Sequence, residues 1–195
     1  MTDPERDFTA LYFGYSSNLS PVTMKQRCPG SLYIGLAILK DYKWIINSTS
    51  YASIIPSPGD VVYGSLFFLS GKDEKALDLS EGVPWLYEKQ YLEVHRITNG
   101  KEEEKTAKAL AYVDVQRLEE GSIEPDYIVW VQKAIQHGLE SGVPSDYIEK
   151  YLRPWVGDKM SQQEINMVRT IPATQWSGGL AAGVRGRVMG GLDRG

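Results

Sequence analysis

Apolar runs separated by turn-forming residues fill the first 115 residues, which is the pattern of a β-sheet. The strand-like runs are Leu11–Tyr15, Ser31–Asn47, Val61–Leu69, Tyr87–Thr98 and Lys105–Val115. The run Val61–Leu69 is apolar on both faces, which predicts a central strand, and Pro56–Asp60 before it predicts a turn. Asn99 and Gly100 both accept a positive φ and therefore predict a hairpin between the last two runs.

The spacing of apolar residues becomes helical in the last part of the chain. Apolar positions three and four apart predict a helix over Asp126–Leu139. Ser145 predicts the cap of a helix over Asp146–Leu152, which Pro154 would end, and Ser161–Glu164 predicts the start of another. Strands followed by helices indicate an α+β fold, with five or six mostly antiparallel strands.

The chain divides into one domain and an extension. Residues 9–157 contain the predicted strands and the main helices, and form one domain of ordinary size. Residues 158–195 form a C-terminal extension, in which Ser177–Gly195 contains seven glycines, scattered arginines and few residues to bury. This composition predicts that the extension is partly disordered.

Composition argues against several classes of function. Of the 195 residues, 21 are Lys or Arg and 25 are Asp or Glu, so the net charge of −4 gives no reason to expect nucleic acid. The single cysteine, Cys28, cannot form an internal disulfide, and two separated histidines do not indicate a metal site. No apolar run is long enough to cross a bilayer, and Met1–Asp7 is too charged for a signal peptide. We therefore expect a cytoplasmic protein that uses no cofactor and contacts no membrane.

A polar turn follows the first strand-like run, in the segment Tyr12-Phe-Gly-Tyr-Ser-Ser-Asn-Leu19. Successive backbone N–H groups in such a turn can form a concave anion site, and serine and asparagine side chains add donors. An α-carboxylate would suit this site. The same residues are also typical of an ordinary strand and turn, so the pattern alone does not decide.

An acidic residue stands at the end of a predicted short helix. The capping pattern Ser70–Asp73 predicts a helix over Glu74–Leu79, and Glu81 and Gly82 mark its end. A glutamate beside apolar surface would have a raised pKa and could exchange protons near neutral pH. The alternative is a solvated helix end, and among 25 carboxylates composition does not single out this one.

Five segments, in matching order, resemble segments of the γ-glutamylcyclotransferase family. They are Tyr12–Leu19, Pro58–Gly64, Leu77–Tyr87, Ala111–Val113 and Pro144–Leu152. The first is similar to that family's substrate loop, and the third to the segment that carries its catalytic glutamate. The resemblance covers about residues 10 to 155. It implies a barrel-like sheet flanked by helices, with the pocket at one end.

The resemblance also implies a reaction and the residues that perform it. The α-amine of a small γ-glutamyl amide would attack its own γ-carbonyl and release 5-oxoproline and a free amine, with Glu81 as the catalytic residue. The implied substrate-binding residues are Tyr12, Gly14, Tyr15, Ser16, Ser17, Asn18, Leu19, Tyr87 and Tyr112. No metal or other cofactor is required by this reaction.

One departure from the family concerns the loop, where Ser16 replaces the usual glycine. If that position needs a positive φ, serine strains the loop by ~1 kcal/mol and could alter substrate choice. The presence of Asn18 disfavours the glutathione-specific branch, whose loop usually reads tyrosine-glycine-serine-leucine. γ-Glutamyl dipeptides, γ-glutamyl-lysine isopeptides and γ-glutamylated secondary metabolites stay open as substrates.

Two other functions stay open on the residues alone. One is a non-catalytic module that binds γ-glutamyl ligands, which Ser16 and the unusual extension suggest. The other is an enzyme of the same fold with a changed reaction, such as amide hydrolysis or another lactam-forming step. His95 and His137 are expected at strand and helix surfaces, and the oligomeric state is open, with a homodimer as one option.

Overall fold

The computed structural model describes residues 7–157 together with Gln163 and Asn166. The strands are β1 (Phe8–Gly14), β2 (Leu32–Ile46), β3 (Ala52–Ser70), β4 (Glu88–Thr98) and β5 (Lys101–Val113). The helices are α1 (Pro21–Arg27), α2 (Gly71–Glu81), α3 (Pro125–Ser141), α4 (Ser145–Tyr147) and α5 (Arg153–Val156), with a 3-10 turn at Ser17–Leu19 and a π-helical turn at Ile148–Leu152. The predicted extension 158–195 and its helix lie outside the described residues, apart from the two positions named above.

The five strands close into a barrel in the order β1-β3-β2-β4-β5. Neighbouring strands are antiparallel except β1 and β5, which run parallel and meet at Tyr12 and Leu110. The predicted α+β fold with a mostly antiparallel barrel-like sheet is thus confirmed. The prediction that Val61–Leu69 is a central strand is confirmed too, since β3 pairs with both β1 and β2.

The turn predicted at Pro56–Asp60 is wrong, because β3 does not reverse there. Lys40 pairs with Val61 and Tyr42 pairs with Pro56, so Asp41 alone stands opposite four residues of β3. The turn-forming residues of this segment therefore form a large bulge within a longer strand. Pairing with β2 on both sides of the bulge overrides the local turn preference.

The turn predicted at Asn99 and Gly100 is confirmed. Their φ angles are 53° and 72°, and they join β4 to β5 in an antiparallel hairpin. Both residues tolerate the left-handed conformation that a two-residue hairpin turn needs.

One prediction for the C-terminal helices is confirmed, and two others are wrong. The apolar stripe of α3 is buried, as its spacing predicts. Ser145 is not a cap, because the residue before the helix is Pro144 and no side chain caps it. Pro154 does not end the helical segment either, since it lies in the first turn of α5, where a missing N–H breaks no intrahelical bond.

Candidate active site

A cavity lies near the ends of β1 and β5, which run in the same direction and so place their last residues side by side. It spans about 300 Å³ of empty space, including its open mouth. Its lining residues are Tyr12, Tyr15, Ser16, Ser17, Asn18, Ala52, Glu81, Tyr87, Tyr112 and Tyr127. The structure therefore brings eight of the ten sequence-predicted site residues into one cavity.

The two predicted residues that do not line the cavity are Gly14 and Leu19. A Cβ atom on Gly14 would lie 2.6 Å from the carbonyl oxygen of Asn18, so only glycine lets the loop fold back this closely. The Leu19 side chain is fully buried, and its carbonyl accepts a hydrogen bond from Ser65 Oγ at 2.7 Å. Both residues therefore shape the loop from outside the cavity.

Glu81 is the last residue of α2. The helix ends there because Gly82 takes the left-handed conformation, with φ 68°, and caps the carbonyls of Asp78 and Leu79. Glu81 is only 5% exposed, and within the described part of the chain no hydrogen bond or ion pair reaches its carboxylate. Burial raises its pKa to about 7, although the charge of Arg27 acts in the opposite direction.

Ser16 does not need the positive φ that would favour glycine, which corrects the expectation attached to this replacement. Its φ is −125°. The hydroxyl group lies 2.6 Å from the Tyr127 hydroxyl, so the two form a polar pair on the cavity wall. Burial is the main cause that raises the pKa of Tyr127 to about 12, and the phenol therefore stays protonated at neutral pH.

Three tyrosine hydroxyls of the lining donate their protons to protein oxygens. Tyr15 donates to the Tyr112 carbonyl at 2.5 Å, and Tyr87 donates to the Ala52 carbonyl at 2.8 Å. Tyr112 donates to Asp78 Oδ1 at 2.7 Å. Burial raises the pKa of all three phenols above the ordinary value. These side chains are thus fixed in place, and their oxygens keep lone pairs for a donor in the cavity.

The cavity loop rests on helix α3. His137 is buried at 7% exposure and its Nδ1 lies 2.6 Å from Ser20 Oγ, so the expectation of a surface histidine is wrong. Ser20 also caps α1 by accepting from the Thr23 N–H at 3.0 Å. Apolar spacing placed α3 correctly, but it could not show that this polar side chain turns inward to bind the cap residue.

Cys28 lies behind the loop and is fully buried. Burial, followed by the charge of Asp73, raises the pKa of its thiol to about 12. A thiol that stays protonated at neutral pH is a poor nucleophile, so Cys28 is a packing residue rather than a reactive one.

Sequence reasoning missed three residues at or beside the cavity: Ala52, Tyr127 and Arg27. The helical spacing over Asp126–Leu139 does not distinguish Tyr127 from the apolar residues around it, and Ala52 begins a strand with no polar signal. Arg27 ends α1 and donates to Asn18 Oδ1 at 2.8 Å and to Ser17 Oγ at 3.4 Å. In the sequence, a basic residue at a solvent-exposed helix end has the same pattern, so no local signal distinguishes Arg27 from other basic residues at helix ends.

The described residues contain neither a candidate metal cluster nor a helix that could span a membrane. Among residues 7–157, Gln163 and Asn166, no cluster of three or more His, Cys, Asp and Glu side chains could hold a metal ion. Within the same residues, no helix combines the length and the apolar character needed to span a membrane.

The closed barrel with flanking helices and a cavity at one end defines an α+β fold that other proteins share. A structure described as gamma-glutamyl cyclotransferase superposes with a TM-score of 0.61 at 24% identity, over 83% of this chain and 99% of the other. A human protein described as uncharacterized, loc79017, gives a TM-score of 0.64 at 24% identity, over 83% and 98% of the two chains. At this identity, the two likenesses establish the fold.

Sequence comparison establishes the family. The model of the gamma-glutamyl cyclotransferase, AIG2-like family matches residues 12–131, which is more than half of the chain. The gamma-glutamylcyclotransferase of Homo sapiens is 28% identical over 161 residues, covering 77% of this chain and 80% of the human one. That of Mus musculus is 29% identical over 153 residues, covering 73% and 77%. The chain belongs to the gamma-glutamyl cyclotransferase, AIG2-like family, which confirms the resemblance noted from its motifs.

Proposed function

We propose that this protein is a γ-glutamylcyclotransferase, which cleaves a small γ-glutamyl amide into 5-oxoproline and a free amine. One observation carries the proposal: the buried carboxylate of Glu81, which no other described residue pairs, shares a cavity with the polar turn Tyr15–Asn18. An acid whose pKa is near 7 can both take and return a proton at neutral pH, and burial gives Glu81 such a pKa.

The loop and the tyrosines would hold the γ-glutamyl unit. Backbone N–H groups of Ser16–Asn18 would bind its α-carboxylate, since successive N–H groups in a turn form an anion site. Lone pairs on the oxygens of Tyr15, Tyr87 and Tyr112 would accept from its α-ammonium group, because these hydroxyls give their own protons elsewhere. Binding in this way would fold the substrate for ring closure.

The proposed reaction exchanges one carbon–nitrogen bond for another and moves two protons from the attacking nitrogen to the leaving nitrogen. Glu81 takes the first proton from the α-ammonium group, and the freed amine attacks the γ-carbonyl carbon of the same molecule to close the five-membered ring. Glu81 returns this proton to the leaving nitrogen as its bond to carbon breaks. The ring nitrogen then gives its second proton through Glu81 to the released amine, which departs as an ammonium ion, so no water is consumed. Well-oriented reaction between two groups of one molecule can gain about 7–11 kcal/mol, and holding the substrate folded supplies part of that gain.

The test is a panel of γ-glutamyl amides that varies the leaving amine, with products identified by mass. Release of 5-oxoproline is expected from at least one member of the panel. Free glutamate would instead indicate hydrolysis. Ligand-dependent thermal stabilisation without any product would indicate a binding module and would contradict the proposed reaction.

The pH profile supplies a second test of the same proposal. We expect kcat/KM to fall about tenfold per pH unit below the Glu81 pKa of about 7, because only the ionised carboxylate can accept the ammonium proton. A profile that is flat from pH 5 to 8 would exclude Glu81 as the base.

A further inference from the structure

A series of hydrogen bonds with a fixed direction leads from Arg27 to the cavity wall. Arg27 Nη1 donates to Asn18 Oδ1 at 2.8 Å, and Asn18 Nδ2 donates to the Tyr12 hydroxyl at 2.9 Å. A guanidinium group has only donors, so the amide oxygen of Asn18 must face Arg27. The amide nitrogen must then face Tyr12.

This direction determines what the Tyr12 hydroxyl can offer to a ligand. Its oxygen already accepts from Asn18, and the part of the chain that the structure describes holds no acceptor for its own proton. Tyr12 is 4% exposed and lines the cavity. It therefore differs from Tyr15, Tyr87 and Tyr112, whose protons are already bonded to protein oxygens.

We propose that Arg27 is a positioning residue: by orienting the Asn18 amide, it leaves the Tyr12 hydroxyl as a hydrogen-bond donor to the γ-carbonyl oxygen of the substrate. Negative charge grows on that oxygen as the ring closes, so a donor fixed beforehand stabilises the transition state more than the bound substrate. The inference rests on the proposed cyclotransferase reaction and extends it to two residues whose roles in catalysis the fold alone does not assign.

Burial supports this role, because it raises the pKa of Tyr12 far above its ordinary value. The charge of Glu81 acts in the same direction. A phenol in this environment keeps its proton throughout the neutral range, so it can donate a hydrogen bond without being ionised. The proton shuttle stays with Glu81.

Arg27 has a second effect on the cavity, through its charge. The titratable side chains whose charge states bear on Glu81, or on which Glu81 acts, are Arg27, Tyr12, Tyr15, Cys28, Tyr87, Tyr112 and Tyr127. Of these, only Arg27 is charged at neutral pH, since the phenols and the thiol keep their protons. Its positive charge holds the pKa of Glu81 below the value that burial alone would give.

The experiment compares Tyr12→Phe, Arg27→Met, Arg27→Lys and the double variant Tyr12→Phe/Arg27→Met in release of 5-oxoproline. Tyr12→Phe is expected to lower kcat about 100-fold with a smaller change in KM, because one oxyanion donor is lost. Arg27→Met is expected to lower kcat about tenfold, since the Asn18 amide can then rotate. When kcat is compared on the pH-independent plateau above the Glu81 pKa, where the charge of Arg27 no longer changes the ionised fraction of Glu81, the double variant is expected to be no slower than Tyr12→Phe alone, because both changes remove the same interaction.

Arg27→Lys is the conservative variant, since an ammonium group also has only donors and keeps the positive charge. We expect it to stay within about threefold of the parent kcat. Arg27→Met should also move the acid limb of the pH profile to higher pH, whereas Arg27→Lys should not. The positioning role is wrong if Arg27→Met raises KM and lowers the melting temperature but leaves kcat unchanged. It is also wrong if the kcat losses of the two single variants multiply in the double variant.

Failure of the proposed function gives a different result. If the parent protein forms no 5-oxoproline from any amide, the cyclotransferase reaction is wrong, and the hydrogen-bond direction is tested by NMR of the Asn18 side-chain amide. Its proton shifts are expected to move in Tyr12→Phe and in Arg27→Met, and to stay unchanged in Tyr91→Phe, a control at an exposed position of β4. Unchanged shifts in all variants would overturn the proposed direction.

Discussion

Two buried carboxylates in this protein are held in opposite ways. Asp114, which is 1% exposed, accepts hydrogen bonds from Asn47 Nδ2 and Arg117 Nη1, both at 2.8 Å, and from the backbone N–H groups of Gln116 and Arg117 at 3.1 Å. Glu81 is 5% exposed, and no donor among the described residues reaches it. The first acid fastens the loop after β5 to the barrel, whereas the second faces the cavity.

The difference shows what a partner does for a buried charge. Donors on every side compensate for the water that a carboxylate loses on burial. Without them, burial disfavours the charged form and raises the pKa of Glu81 to about 7. A residue left in this state weakens the fold at neutral pH, which favours a role in chemistry that needs a mobile proton.

The largest effect is expected from removing the titratable group of Glu81. Glu81→Gln keeps the size and shape of the side chain but cannot accept a proton, so we expect kcat for 5-oxoproline to fall by a factor of about 1,000 or more. Circular dichroism and gel filtration would establish that the variant is folded. Turnover within tenfold of the parent would contradict the account.

The same substitution should stabilise the protein in a pH-dependent way. Between pH 4.5 and about 7 the folded protein keeps a proton on Glu81 that the unfolded chain has lost, so the free energy of unfolding decreases as pH rises through this window. The loss is complete above about pH 7 and amounts to about 3 kcal/mol. The Glu81→Gln variant has no carboxyl group to ionise at this position, so its free energy of unfolding does not decrease in this way.

Urea unfolding at pH 4, 6 and 8 measures this difference. At pH 8, Glu81→Gln is expected to be more stable than the parent by up to about 3 kcal/mol, and at pH 4 the two should agree closely. A constant difference at all three pH values would mean that Glu81 does not titrate in this range.

Asp114→Asn should do the reverse, lowering stability while sparing the chemistry. The amide would bring an N–H₂ group among donors and would leave the Arg117 charge unpaired, so a cost of about 2 kcal/mol is expected. The measurement is the free energy of unfolding, with kcat as the matched readout. Equal losses of kcat in Asp114→Asn and Glu81→Gln would remove the distinction between the two acids.

The smallest effect is expected at the polar pair on the cavity wall. Ser16→Gly removes a hydroxyl that contacts Tyr127, at a position whose φ of −125° does not require glycine. The stability change should stay below about 1 kcal/mol, with KM for different leaving amines changing more than kcat. A gain in stability above 1 kcal/mol would show that serine is strained there after all.

Sequence was sufficient where local chemistry decides the structure. The positive φ of Asn99 and Gly100 and the glycine that ends α2 after Glu81 are local requirements, and each was predicted correctly. The family motifs then linked the polar turn to Glu81, although more than 60 residues separate them.

Sequence was insufficient where a contact comes from a distant element. Tyr127 meets Ser16 across 111 positions of the chain, and His137 meets Ser20 across 117, so no local pattern could pair them. Pro56–Asp60 carried a valid turn signal, but pairing with β2 on both sides turned it into a bulge. The boundary predicted after residue 157, the cytoplasmic location and the homodimer stay predictions.

The pKa of Glu81 is the quantity on which both the stability and the reaction depend, and NMR measures it directly. A ¹³C titration of its side-chain carboxyl group, assigned by the missing signal in Glu81→Gln, is expected to have a midpoint near 7. Arg27→Met should move that midpoint higher. A midpoint near 4.5, the ordinary value for a solvated glutamate, would show that burial does not raise the pKa of this carboxylate and would contradict the proton-shuttle mechanism.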